Sequence, residues 1–157
     1  MKNVELKSLI TECRIEELSA EDQRLIEKAI EATSHSYAPY SHFCVGAALL
    51  LNNGVEITGC NQENAAFPAC LCAERTAIFS AGAQYPDVPV KTLAIAARKP
   101  DGELQDEPVS PCGTCRQVII ETETRFGQPV RILLYGRNRV YVIDSIKDLM
   151  PLSFSEF

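Results

Sequence analysis

The first regular pattern of apolar and polar positions lies in residues 19–35, where apolar or small side chains recur three and four residues apart. The residues on this face are Leu25, Ile26, Ala29, Ile30 and Thr33. Ser19 is a candidate N-cap, and Asp22 follows three residues later. This spacing predicts a one-sided helix over residues 19–35. Pro39 in "YAPYSHF" disfavours helical geometry at Ala38, so the pattern predicts a loop there.

The remaining chain alternates between strand and helix patterns. Residues 43–51 and 55–60 flank "NNG" and predict a hairpin, since Asn-Gly is a strong turn signal. A helix is predicted from near Cys72 to about Gly82, a buried strand over residues 90–98, and a second such helix from "PCGTC" (111–115) to about Phe126. Strands over 130–136 and 139–144 and a short helix from Asp144 complete the prediction.

This alternation predicts an α/β fold, a three-layer αβα sandwich whose helices cover a mixed, mostly buried sheet of about five strands. We expect residues 19–157 to form a single catalytic domain. Residues 1–18 form an N-terminal extension, either an edge strand or a loosely docked arm.

Composition and charge limit the kinds of partner that this chain is expected to bind. The 157 residues carry a net charge of -6, which argues against a protein that binds a nucleic acid polymer and favours a small-molecule partner. The longest apolar run, "CVGAALLL", is too short to cross a bilayer, and no Lys/Arg-led apolar leader opens the sequence. We therefore expect a soluble, cytoplasmic protein without a membrane partner.

Cysteine and histidine counts narrow the chemistry further. There are seven cysteines, an odd number, and only two histidines, His35 and His42. Without a signal peptide, free thiols or thiolates are a better expectation than a disulfide framework. A transition-metal site would then draw mainly on sulfur.

Three cysteines occupy predicted helix starts. Cys112 and Cys115 are three residues apart, so their sulfurs can face one point, and Cys72 begins another helix. Three thiolates suit Zn²⁺ and leave a fourth position for water, as in catalytic zinc sites. Glu74 can shuttle the proton of that water, because at a helix start it can face the same point as Cys72.

Two arginines lie next to these residues, and two other roles of the cysteines are also open. Arg75 and Arg116 each follow a key position and are predicted to balance the negative charge of three thiolates on zinc. A CxxC pair can instead be redox-active, and Cys70 offers a fourth sulfur for a closed structural zinc site. The other three cysteines, Cys13, Cys44 and Cys60, are predicted to be small buried hydrophobes.

The segments "CAERTA" and "SPCGTCRQV" together resemble the zinc nucleoside deaminases, whose pattern is Cys or His, any residue, Glu, and then Pro-Cys-x-x-Cys. The stretches "PYSHFCVGAALL" and "GCNQENAAFPACLCAERTAIFSAG" are similar to the small homotetrameric cytidine deaminases. The resemblance runs from about residue 22 to the end of the chain.

The resemblance implies one Zn²⁺ per chain, held by Cys72, Cys112 and Cys115. Glu74 would move protons while hydroxide attacks C4 of the pyrimidine and ammonia leaves. The implied reaction converts cytidine and 2'-deoxycytidine to uridine and 2'-deoxyuridine in pyrimidine salvage.

The resemblance also implies substrate contacts. Asn61 and Glu63 match a pair that hydrogen-bonds the ribose 3'-hydroxyl, Phe43 matches an aromatic that packs on the base, and backbone groups around Ala73 would read the pyrimidine edge. Phe154 matches a C-terminal aromatic that reaches into a neighbouring chain's site. The implied assembly is a homotetramer with shared active sites.

Two positions depart from the family pattern. Cys44 stands where these enzymes often have proline, and Phe67 where many have tyrosine. Two other functions remain open at this point: a blasticidin S-type deaminase, and a structural zinc-binding module without turnover. We expect the former to lack the "NxEN" segment, so Asn61 and Glu63 favour ordinary nucleosides.

Overall fold

The computed structural model describes residues 1–155 and contains a six-stranded sheet between two helical layers. Its strands are β1 (Thr11–Cys13), β2 (Cys44–Leu51), β3 (Glu56–Cys60), β4 (Val90–Arg98), β5 (Arg131–Tyr135) and β6 (Val140–Ile143). Its α-helices are α1 (Ala20–Ala32), α2 (Ala73–Gln84) and α3 (Gly113–Phe126). The last two positions of the predicted domain, 156 and 157, lie outside the described residues.

The sheet order is β1-β6-β5-β4-β2-β3, and the sheet is mixed because β4 and β5 run parallel whereas the other pairs are antiparallel. The α/β prediction is confirmed, but the sheet has six strands rather than five. The sixth is β1, which pairs with β6 at the sheet edge. Its sequence, Thr-Glu-Cys, is too short and polar to show strand periodicity.

Alternating side chains of the central strands pack into two hydrophobic cores, one on each face of the sheet. On one face, Leu25, Ile26 and Ala29 of α1 pack against residues that include Ala48 and Ala94. On the other face lie α2 and α3. The buried residues of this second face include Ala73, Ala77, Ile119, Ala47, Leu49, Leu93, Ile95, Ile132 and Leu134. Two apolar faces on one sheet explain why the three-layer arrangement forms.

Two glycines let the helices lie close to the sheet. A Cβ at Gly59 in β3 would lie 2.5 Å from the Ala77 nitrogen and 2.6 Å from the Ala73 oxygen, both in α2. A Cβ at Gly46 in β2 would lie 2.0 Å from the Ala29 oxygen in α1. The first turns of α2 therefore pack directly against the backbone of β3.

Two predicted helix boundaries were wrong. α1 ends at Ala32, and residues Thr33–His35 form a 3₁₀ turn in which the Thr33 hydroxyl donates to the Ile30 oxygen. The helix predicted from Asp144 is the 3₁₀ turn Ile146–Asp148, which begins after the extended cap Ser145; Pro151 limits its continuation because it disfavours helical geometry at Met150. Ser19 does cap α1, accepting a hydrogen bond from the Asp22 nitrogen at 3.1 Å.

Within residues 1–155, no helix has the length and apolar character needed to span a membrane.

Candidate active site

Cys72 and Cys112 are the N-caps of α2 and α3. Both have extended backbone angles, with φ of -75° and -65°, and neither side chain makes the capping hydrogen bond usual at this position. Their sulfurs are therefore available for another partner. The unpaired amides of the two helix starts favour negative charge there.

The sulfurs of Cys72, Cys112 and Cys115 lie close together at the starts of α2 and α3. The Sγ atoms of Cys72 and Cys112 lie 3.7 Å apart, and with the Cys115 Sγ they form a group whose atoms all lie within 4.8 Å of one another. Tetrahedral coordination with Zn–S bonds of about 2.3 Å puts two sulfurs about 3.8 Å apart. The donor set and its spacing therefore fit a zinc ion.

Cys70 does not join this group. The metal-ligand cluster found within residues 1–155 consists of Cys72, Cys112 and Cys115. The Cys70 sulfur instead accepts a hydrogen bond from the Asn64 nitrogen at 3.2 Å. The described residues therefore form an open three-sulfur site rather than a closed four-sulfur one.

All seven cysteines are free thiols, as expected. Cys60 is buried, as predicted, whereas Cys13 and Cys44 are half-buried.

The sulfur cluster favours a thiolate at Cys72. Hydrogen bonds from Cys115, and then from Arg75 and Cys112, lower the pKa of the Cys72 thiol to about 5, against the opposing effect of burial. The hydrogen bond to Cys72, in which Cys115 is the donor, raises the pKa of Cys115, and burial raises it further. Arg75 donates to the Cys72 sulfur at 3.7 Å and to the Cys70 oxygen at 3.2 Å.

Glu74 lies one residue inside the start of α2 and is only 4 % exposed. Cys72 precedes the first helical turn, so the usual divergence of side chains two residues apart does not apply. Burial raises the pKa of Glu74, and the nearby Cys72 sulfur adds to the rise. Hydrogen bonds with the backbone of Glu74 itself and with Cys115 partly oppose it. Burial thus favours the protonated form of this carboxyl more than in an exposed glutamate, which suits a group that takes up a proton and releases it again.

A cavity of about 220 Å³ opens beside the sulfur cluster. Its walls are formed by Tyr40, Asn61, Glu63, Phe67, Cys70, Leu71 and Cys72. Backbone pairing holds these loops together, since Gln62 and Leu71 exchange two hydrogen bonds of 2.9 and 3.0 Å. The structure thus brings both residues of the predicted ribose-binding pair to the cavity that contains Cys72.

Asn61 and Glu63 are held in place by neighbouring backbone groups. The Asn61 side chain accepts from the Val45 nitrogen and donates to the Phe43 oxygen, both at 2.8 Å. Glu63 accepts from the Tyr40 and Ser41 nitrogens and from the Ser41 hydroxyl. These hydrogen bonds lower the pKa of Glu63, so its side chain is a carboxylate at neutral pH.

The family model for the cytidine and deoxycytidylate deaminase zinc-binding region matches residues 19–126. That match includes all three clustered cysteines, Glu74 and the cavity walls. The chain belongs to this deaminase family.

Proteins similar in sequence to this chain are named as cytidine deaminases, in agreement with the family match. The chain is 46 % identical over 99 residues to a cytidine deaminase of Halalkalibacterium halodurans, covering 63 % of this chain and 70 % of that protein. It is 39 % identical over 140 residues to a probable cytidine deaminase of Dictyostelium discoideum, covering 86 % and 87 %.

Solved structures of the family share the fold. A cytidine deaminase from Burkholderia pseudomallei superimposes with a TM-score of 0.73 at 39 % identity, covering 87 % of this chain and 100 % of the other. One from Mycobacterium tuberculosis gives a TM-score of 0.67 at 30 % identity, covering 87 % and 98 %.

Three other predicted substrate residues do not line this cavity as the described chain forms it. Phe43 is half-buried just before β2, and Ala73 is fully buried directly after Cys72. Phe154 is 67 % exposed, and its carbonyl accepts from the Gln117 side chain at 2.7 Å.

Arg116 differs from Arg75 in its contacts. Its guanidinium donates to the oxygens of Pro111 and Leu149 and to the Ser110 hydroxyl. These are oxygen acceptors rather than sulfurs, so the structure places the two arginines in different surroundings.

Sequence patterns alone missed Tyr40 and Leu71 as cavity residues. Tyr40 packs edge-on against Phe67, with ring centroids 5.8 Å apart, and both rings are exposed at the cavity mouth. Loop positions carry no periodic pattern, so only the aromatic residue after Pro39 could have signalled this role.

Proposed function

We propose that this chain catalyses the hydrolytic deamination of cytidine and 2'-deoxycytidine, giving uridine, 2'-deoxyuridine and ammonia in cytoplasmic pyrimidine salvage. The observation that carries the proposal is the meeting of three cysteine sulfurs with the buried Glu74 carboxyl. Relatives named cytidine deaminase at 46 % and 39 % identity support the substrate class.

One zinc ion per chain is the proposed cofactor. Cys72, Cys112 and Cys115 would hold it, and their spacing supports a tetrahedral site with one position left open. When bound, zinc supplies a Lewis acid that makes water a nucleophile near neutral pH. The guanidinium of Arg75 and the starts of α2 and α3 would offset the excess negative charge of three thiolates.

Glu74 is the proposed proton carrier. Its raised pKa suits a carboxylate that takes a proton from the attacking water and later gives a proton to the leaving amino group. Burial also excludes bulk water from the carboxyl, which favours transfer between the reacting groups over exchange with solvent.

Asn61 and Glu63 are the proposed ribose ligands. An amide and a carboxylate together offer more hydrogen-bonding capacity than their present backbone contacts use. Asn61 retains one N–H and one lone pair, and Glu63 retains a lone pair. Because both side chains are already fixed, binding a ribose hydroxyl would cost little side-chain entropy. Phe43 and the backbone at Ala73 remain the proposed contacts to the base.

A homotetramer with shared active sites is the proposed assembly. The exposed Phe154 is supported as a contact residue between chains by its position on a segment fixed to α3. An apolar cavity of about 340 Å³ between α2 and α3, lined by residues that include the half-exposed Phe79, supports a further contact. Sedimentation of the wild-type protein and of Phe154→Ala tests this assembly.

Ammonia release tests the reaction. The zinc-loaded protein is given cytidine, 2'-deoxycytidine, free cytosine or blasticidin S, with Glu74→Gln as the control. We expect release from both nucleosides and much less from cytosine, because the base alone cannot contact Asn61 and Glu63. Release from blasticidin S alone would replace the proposal with an antibiotic deaminase. No release from any compound by zinc-loaded protein would favour a structural zinc module.

A further inference from the structure

The chain after β6, here called the C-terminal segment (residues 144–155), is fastened along α3 by that helix's side chains. Near one end, the buried Glu123 carboxylate accepts from the Ile146 nitrogen at 3.0 Å and the Ser145 hydroxyl at 2.8 Å. Near the other, Gln117 donates to the Phe154 oxygen. These contacts place the segment against the helix whose start carries Cys112 and Cys115.

Arg116 joins this segment to the loop that carries Cys112. Its Nη1 donates to the Leu149 oxygen at 2.7 Å, within the C-terminal segment. Its Nε donates to the Pro111 oxygen and its Nη2 to the Ser110 hydroxyl, both at 2.9 Å. One guanidinium therefore holds both pieces of chain, and its planar fork fixes the angle between them.

Cys112 depends on this support more than Cys115 does. Cys115 is fully buried within α3, whereas Cys112 is exposed and has no side-chain capping bond. The position of the Cys112 sulfur therefore depends on the backbone around it, which is tied to α3 on one side by the hydrogen bond from the Arg116 nitrogen to the Cys112 oxygen and is preceded by Pro111 on the other. The Arg116 side chain holds this segment through the backbone oxygen of Pro111 and the side-chain hydroxyl of Ser110.

We propose that Arg116 is a positioning residue that fixes Cys112 relative to the other two sulfurs, so that docking of the C-terminal segment on α3 tightens the metal centre. The inference rests on the proposed function in requiring that the three-cysteine site holds zinc. Arg116 thus serves the site through backbone geometry, in contrast to Arg75, which contacts a ligand sulfur.

The test compares zinc-loaded wild type with R116Q, R116K and R125Q. Arg125 is a matched control, because it lies on the same helix and also donates to a backbone oxygen, that of Pro86. Zinc release to excess chelator is followed with a zinc-sensitive dye. Absorption of the cobalt-substituted proteins reports ligand geometry, which a purely structural role of Arg116 would leave unchanged.

We expect R116Q to release zinc about 10-fold faster or more, the range for loss of a group that orients a metal ligand, and to shift the cobalt bands. R116K should lie between R116Q and wild type because an ammonium keeps some donors without the fork, and R125Q should match wild type. A folded R116Q with wild-type zinc release and cobalt spectrum would overturn the inference.

If R116Q does not fold, R116K decides, since it keeps the charge but loses the planar fork that holds Pro111 and Leu149 together. Faster zinc release by R116K supports the inference, and an unchanged rate overturns it. The proposed function is judged separately on the wild type, by its zinc content and its ammonia release from cytidine. A wild type that deaminates cytidine with zinc bound, alongside an unaffected R116Q, would leave the function standing and remove only the role of Arg116.

Discussion

The sulfurs of Cys72 and Cys112 lie 3.7 Å apart although the residues are separated by 40 positions and begin different helices. Each helix start favours negative charge on its sulfur, and a proton shared between the two sulfurs is enough to hold them this close. The same spacing fits two ligands of one tetrahedral zinc ion, so a metal could replace that proton without moving either helix.

Metal content should separate the three ligands from Cys70. C112S should lose most of its zinc, because a serine hydroxyl is a poor replacement for a thiolate ligand. C70S, the matched control, should keep about one zinc per chain, because Cys70 contacts Asn64 instead. Elemental analysis of the purified proteins measures both. Equal zinc loss in C70S would show that the closed four-sulfur site forms after all.

E74Q should separate catalysis from stability. It should retain zinc while lowering kcat about 10²- to 10⁴-fold, the usual contribution of an acid-base group. Its melting temperature should equal or exceed that of wild type, because the change removes a carboxyl whose ionised form is disfavoured by burial. E121Q, on the exposed side of α3, is the control for both measurements. Near-normal turnover by zinc-loaded E74Q would rule out the proton-carrier role.

Two glycine substitutions should have opposite effects on stability. G59A should destabilise the protein by about 1–3 kcal/mol, as overpacking does, because its Cβ would meet the backbone of α2. G82A lies in α2 with no atom within 4 Å of the added Cβ and should stabilise by about 0.5–1 kcal/mol. Urea unfolding measures both.

G59A should also reduce turnover, because displacing α2 moves Ala73 and Glu74. G82A, which leaves the start of α2 in place, is the control for this effect. Wild-type stability in G59A would contradict the close seating of α2 on β3.

Glu56 should make stability depend on pH. It accepts from Arg24 and Lys28 of α1, each at 2.7 Å, and the hydrogen bond with Lys28, then that with Arg24, lowers its pKa below the ordinary 4.5. A lowered folded-state pKa contributes stability that is complete above the unfolded value and is lost as the pH falls through the folded value. E56Q should therefore be less stable than wild type at neutral pH, by up to about 1 kcal/mol for such partly exposed pairs.

The difference between wild type and E56Q should shrink as the pH falls below 4.5. Urea unfolding at a series of pH values from neutral to about 3 tests this. A stability difference that stays constant over this range would show that Glu56 acts through packing rather than charge.

Sequence patterns located the strands and helices well where burial imposes a period. The faces of α1 and the runs of β2 and β4 were predictable because each side chain must face a core or water. An edge strand within residues 1–18 was one of two expectations, but the position of β1 was not predictable, because three residues at a sheet edge need no apolar alternation. The short helix near the end of the chain was predicted, but its first residue was not, because Ser145 caps it and it begins at Ile146, two residues after the predicted start at Asp144.

By itself, the sequence determined the candidate ligand residues and their places at helix starts, because a Cys-x-x-Cys pair and a Cys-x-Glu triplet have only a few geometries within a helical turn. Only the tertiary structure decided that Cys70 stays out of the cluster, that Tyr40 and Leu71 form cavity walls, and that Arg116 contacts oxygens rather than sulfurs. The physical reason is that such contacts join segments distant along the chain. Their partners are chosen by how the two layers of helices pack on the sheet, and no local pattern encodes that choice.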